Sequence, residues 1–80
     1  MSTPIYRLRA VVLESGHPRS TLYLRIKQGL WTKPISLGGR AVGWPSSEVD
    51  TLNAARIAGR ADEEIRTLVR KLESDRKHAL

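Results

Sequence analysis

A mainly α domain carrying one small β-hairpin is what the residue pattern predicts, on three observations. Two short stretches of helical periodicity, residues 8–15 and 19–28, are separated by Gly16 and Pro18. An alternating run of Ile35, Leu37, Val42 and Trp44 straddles the pair Gly38-Gly39. Two further amphipathic stretches follow, each with acidic residues near its start.

Taken in order, Leu8, Val11, Val12 and Ser15 share one face of the first helix, which Gly16 stops and Pro18 keeps from continuing. The second helix starts near Arg19, turns Leu22 and Ile26 to one side, and closes at Gly29. Helix, tight turn and second helix make a helix-turn-helix. The alternating run around Gly38-Gly39 predicts a hairpin. Two strands cannot stand alone in water, so the hairpin must lie on the helices as a wing. Trp44 continues its inward alternation and is expected in the core, whereas the place of Trp31 is left open. A third helix is expected from the Trp44-Pro45-Ser46-Ser47 start to about Ala58, with a serine cap and with Val49, Leu52 and Ile57 inward. Glu48 and Asp50 are read there as surface or capping acids. Asp62-Glu63-Glu64 opens a fourth helix whose Ile65, Leu68, Val69 and Leu72 recur at i, i+3, i+4 and i+7, and Arg76, Lys77 and His78 end it.

Charge narrows the function. Fourteen Lys and Arg stand against eight Asp and Glu, a net +6. The first 45 residues hold Arg7, Arg9, Arg19, Arg25, Lys27, Lys33 and Arg40 against Glu14 alone, so they carry the entire excess, and the remainder is neutral. A solubility charge has no reason to segregate in this way, whereas a polyanion-binding face does. The absence of cysteine removes disulfides and thiolate chemistry, and His17 and His78 have no ligand pattern around them, so neither metal nor cofactor is expected. Ser20 lacks a plausible base, and Gly38-Gly39-Arg40 lacks the spacing of a phosphate loop, so no enzyme is expected. Met1-Ser2-Thr3-Pro4 opens no export signal, and no apolar run is long enough for a bilayer, which predicts a soluble cytoplasmic protein with no small-molecule substrate.

Candidate DNA contacts follow from the second helix. With Leu22 and Ile26 inward, a step of about 100° per residue puts Ser20, Leu24 and Lys27 opposite the core, with Thr21 and Tyr23 on the flanks. Arg19, Ser20, Thr21, Tyr23 and Lys27 are the candidates there, Arg suiting guanine edges or phosphate and the others phosphate or mixed contacts. Lys33 and Arg40 flank the hairpin and complete the set, Arg40 lying where a long cation reaches a phosphate or the minor groove. The plainer alternatives are a solvated helix face and a cation that blunts an edge strand. Leu24 is either an ordinary exposed leucine or a contact for a thymine methyl.

Residues 6–60 resemble the AlpA family of phage and prophage regulators. The resemblance rests on Arg7-Leu8-Arg9, Glu14-Ser15-Gly16, Arg19-Ser20-Thr21-Leu22-Tyr23, Ile26-Lys27-Gln28-Gly29, Lys33-Pro34, the block Leu37 to Trp44, Glu48-Val49, and Arg56-Ile57-Ala58. It implies a MerR-like winged helix related in fold to phage excisionases. It also implies sequence-specific binding of double-stranded DNA in transcription control, recombination directionality, or both. Pro18 stands where the family usually has a serine cap, Leu24-Arg25 reverses a usual Arg-Leu, and Leu52 replaces a usual aromatic.

Residues 1–60 are accordingly expected to form the DNA-binding domain. Residues 61–80 are expected either to pack on it or to mediate self-association, and a chain ending before Asp62 is expected to fold. Two other functions remain open: a protein-interaction adaptor using the last amphipathic helix, and RNA binding, for which the sequence has few aromatic residues.

Overall fold

The computed structural model describes residues 4–78, so Met1-Ser2-Thr3, the last two residues and the side chain of His78 lie outside the described residues. The order is β1 (Ile5–Arg7), α1 (Leu8–Ser15), α2 (Arg19–Lys27), β2 (Ile35–Ser36), β3 (Val42–Pro45), α3 (Ser46–Ile57) and α4 (Asp62–Asp75), the last running into a 3-10 turn at Arg76–His78. The predicted class holds: four helices with a small antiparallel sheet, arranged as a winged helix-turn-helix.

Glycine ends the first two helices. Gly16 and Gly29 adopt φ of 75° and 78°, the left-handed conformation in which a Cβ is strained. There the Gly16 N–H reaches Val12 O at 3.1 Å, and the Leu30 N–H reaches Arg25 O at 2.8 Å. These bonds satisfy carbonyls that the helix end would otherwise orphan.

The hairpin is two strands of a three-stranded sheet in the order β1-β3-β2. Ile35 faces Gly43 and Ser36 faces Val42 on one side of β3, while Ile5, Tyr6 and Arg7 pair with Pro45, Trp44 and Gly43 on the other. The wing is therefore anchored by an N-terminal strand absent from the sequence-based expectation. Leu37 departs from the inward alternation and is exposed, because the turn around Gly38-Gly39 carries it off the sheet. Gly43 is required by packing: a Cβ there would lie 2.6 Å from Ile5 Cγ2 and 3.1 Å from Tyr6 O. Gly43→Ala is expected to destabilise the domain by about 1–3 kcal/mol, the usual effect of overpacking. An unchanged urea midpoint would show instead that β1 simply moves aside.

Val11, Leu22, Leu30, Trp31, Trp44, Val49, Leu52, Ile65 and Val69 form one core. Trp44 is inward as expected, its Nε1 donating to Thr32 O at 2.8 Å, and Trp31 is buried beside it. Three expectations are corrected. Ile57 is 87% exposed, since it lies five residues beyond Leu52 and so on another side of α3; Ala55 takes the inward place. No serine side chain caps α3; the Ser46 N–H donates instead to Pro4 O at 2.8 Å. Glu48 is no surface acid but is 4% exposed, and both its oxygens accept hydrogen bonds from Arg76, at 2.6 and 2.8 Å.

The apolar stripe of α4 faces inward. Ile65 and Val69 belong to the core, with Leu68 and Leu72 packed against it. The expectation that a chain ending before Asp62 would fold is at odds with this, since the core then loses two of its members. No helix among the described residues is long and apolar enough to cross a membrane.

Candidate nucleic-acid interface

A cleft of about 500 Å³ opens between the start of α1, the start of α2 and the wing. Arg7, Leu8 and Arg9 form one wall, Arg19 and Tyr23 another, and Arg40, Ala41 and Val42 the third. Four guanidinium groups thus meet with no acid among the lining residues. Both helix starts at the cleft also lack an acidic residue in the first turn and a side-chain cap. For α2 the reason is Pro18, which occupies the cap position and has no oxygen in its side chain to accept. By contrast α3 carries Glu48 and α4 carries Asp62, Glu63 and Glu64 in their first turns. The positive ends of α1 and α2 are thus left for another anion.

Of the residues singled out from the sequence, the cleft brings together Arg19, Tyr23 and Arg40. Ser20 is exposed and Thr21 half-buried on α2, outside the cleft lining. Lys27 and Lys33 line a different hollow with Trp31, Arg66, Arg70 and Glu73, where α2 meets α4. The backbone N–H of Lys33 donates to Glu73 Oε2 at 2.8 Å, so that residue also ties the root of the wing to α4. Leu24 is half exposed. Sequence reasoning passed over Arg7 and Arg9 as individual contacts. Their signal was present in the one-sided charge, but their place beside the wing depends on the pairing of β1 with β3.

The cations of the two halves are used differently. Among the described residues, none of the seven basic side chains before Ser46 makes an ion pair or a side-chain hydrogen bond. Five after it are engaged within the protein. Arg56 donates to Ser15 O, Arg66 to Gln28 O and Glu63, Arg70 to Thr67, and Arg76 to Glu48, while Arg60 lies 3.6 Å from Glu64.

His17, in the turn between α1 and α2, is 8% exposed and meets Trp31 edge to face at a centroid distance of 6.0 Å. Burial lowers its pKa below the ordinary 6.5, and the nearby Arg56 and Arg25 charges lower it further.

A helix-turn-helix and a wing with a basic cleft between them define a winged-helix fold. The chain belongs to the AlpA family: a family model described as prophage CP4-57 regulatory protein (AlpA) matches residues 4–57. An uncharacterized protein, ORF88, of Enterobacteria phage P4 is 44% identical over 54 residues. That match covers 68% of this chain and 61% of the phage protein, so the chain aligns with less than two thirds of its relative's length. No solved structure matches the chain significantly.

Proposed function

We propose that the protein is a sequence-specific regulator of double-stranded DNA that lays α2 in the major groove and rests the wing on the backbone or minor groove. The observation that carries this reading is the division of the cations. Among the described residues, the side chains of those before Ser46 have no protein partner and four of them converge on one cleft, whereas most of those after it are occupied in holding the fold. Free guanidinium groups beside uncapped helix starts suit a phosphate backbone. Ser20, Leu24 and Lys27, exposed on α2, are the side chains available to base edges. Arg7, Arg9, Arg19, Tyr23 and Arg40 grip the backbone alongside, and Thr21 supports the flank. Lys33 serves the wing root. The adaptor reading loses its surface, because the apolar stripe of α4 is turned into the core.

The test is binding to duplexes drawn from DNA flanking the protein's own gene, over a range of salt. Log K should fall steeply with log salt, and Arg40→Ala should reduce that slope by about one unit on every sequence. Lys27→Ala should instead weaken the preferred duplex by about tenfold or more and a scrambled one much less. Binding that ignores salt would sink the proposal. A wild-type chain unable to tell preferred from scrambled duplexes would remove its sequence-specific part.

A further inference from the structure

On another side of α2 a second, smaller hollow of about 240 Å³ lies among the turn after α1, the end of α3 and the start of α4. Arg25, Arg56 and Arg60 line it with His17, and Asp62 is the one acid in the lining. The cleft already described shares no residue with it.

These groups have coordination to spare. The Arg25 side chain has no hydrogen-bond or ion-pair partner among the described residues. Arg56 uses Nη1 on Ser15 O at 2.7 Å, which leaves most of its five N–H donors unspent. Among the described residues the Arg60 side chain makes one contact, an exposed pair with Glu64 at 3.6 Å, the kind that yields readily. The fourth group faces the same space. His17 is more than nine-tenths buried and lines the hollow, yet among the described residues its ring makes no hydrogen bond; its one bond is from its backbone N–H to Ser15 Oγ. Three guanidinium groups and an imidazole around one small space favour a compact, multiply charged anion with several acceptor oxygens.

We propose that this hollow is a binding site for a phosphate-type oxyanion, held by Arg25, Arg56 and Arg60 with His17 donating from beneath. Arg25 belongs to α2 and Arg56 to α3, so an anion here ties the second helix to the supporting ones. The source is either a phosphate of the DNA backbone or a free phosphate-bearing molecule. The inference goes beyond the proposed function and does not depend on it, since free phosphate can occupy the hollow with no duplex present.

The bound anion should reverse the influence of the two arginines on His17. Burial and the Arg56 and Arg25 charges all favour the neutral ring. A phosphate among them offsets those charges and raises the His17 pKa, while the Asp62 carboxylate disfavours its entry.

Titration of the full chain with inorganic phosphate, at ionic strength held constant with sodium chloride, reads this through the His17 ring resonances. The expected result is a saturable shift with a raised His17 pKa. Arg25→Gln should weaken that affinity by about tenfold, as loss of a charged hydrogen-bond donor does. Lys71→Gln, a cation outside the hollow, should leave it unchanged. A drift without saturation, or equal weakening by Lys71→Gln, overturns the proposal. Saturation that leaves His17 unmoved overturns it too. The second arm repeats the titration with a duplex. A His17 shift that the duplex reproduces assigns the backbone as source, and duplex binding without that shift assigns a free phosphate compound. Arg19→Ala with Arg40→Ala should abolish the duplex response while the inorganic phosphate response persists, so that failure of DNA binding and failure of the hollow are told apart.

Discussion

Ending the chain at Ala61 is expected to leave a polypeptide that does not fold. The truncation removes Ile65 and Val69, 8% and 4% exposed, from a core of nine residues. It also opens the core beside Leu30, which lines one hollow with Ile65, and beside Trp31, which lines another with Val69. Each fully buried aliphatic side chain contributes about 1.5–3 kcal/mol, and Leu68 and Leu72 add part of that again. A domain of this size has only about 5 kcal/mol of net stability to lose. The tie from Arg66 Nε to Gln28 O, at 3.0 Å, goes with them, so the end of α2 loses its brace as well. Circular dichroism of the truncated chain should show little helix and no cooperative melt. A cooperative transition within a few degrees of the full chain would mean that the first 61 residues carry their own core.

That expectation reverses one drawn from the sequence, and the reason is physical. The spacing of Ile65, Leu68, Val69 and Leu72 shows that α4 has an apolar face, but periodicity along one helix does not say what the face meets. The first two helices were legible because their punctuation is local: Gly16 and Gly29 sit where a left-handed residue must close each one. The wing was legible from alternation around Gly38-Gly39, but its third strand was not. Ile5–Arg7 is only three residues long and alternates exposed, half-buried and exposed, so it offers no apolar period to read. Its place is fixed by Gly43, whose missing Cβ lets Ile5 approach. The candidate interface shows the same division. Arg19, Tyr23 and Arg40 were visible as polar positions on a helix and a wing, but their convergence with Arg7 and Arg9 depends on that unseen strand. Lys27 and Lys33 look similar in the sequence but line a separate hollow where α2 meets α4.

Glu48 was the least legible residue of all, since its partner lies 28 positions further on, and it gives the second large effect. Arg76→Ala is expected to destabilise the domain by about 3–5 kcal/mol, the usual result of stranding one member of a buried ion pair. The Glu48 side chain is 6% exposed and Arg76 22%, so the carboxylate left behind has little water to turn to. The same guanidinium donates through Nη2 to Lys33 O at 2.7 Å, while Glu73 accepts the Lys33 N–H. Arg76 therefore joins three parts at once: the start of α3, the root of the wing and the end of α4. Replacing both partners distinguishes the stranded charge from lost packing. Glu48→Leu with Arg76→Met removes both charges and keeps apolar bulk, and such exchanges are often neutral or stabilising. The double variant should thus recover most of the urea midpoint lost by Arg76→Ala. A double variant no more stable than the single one would show that the bond to Lys33 O, not the charge on Glu48, holds the wing root in place.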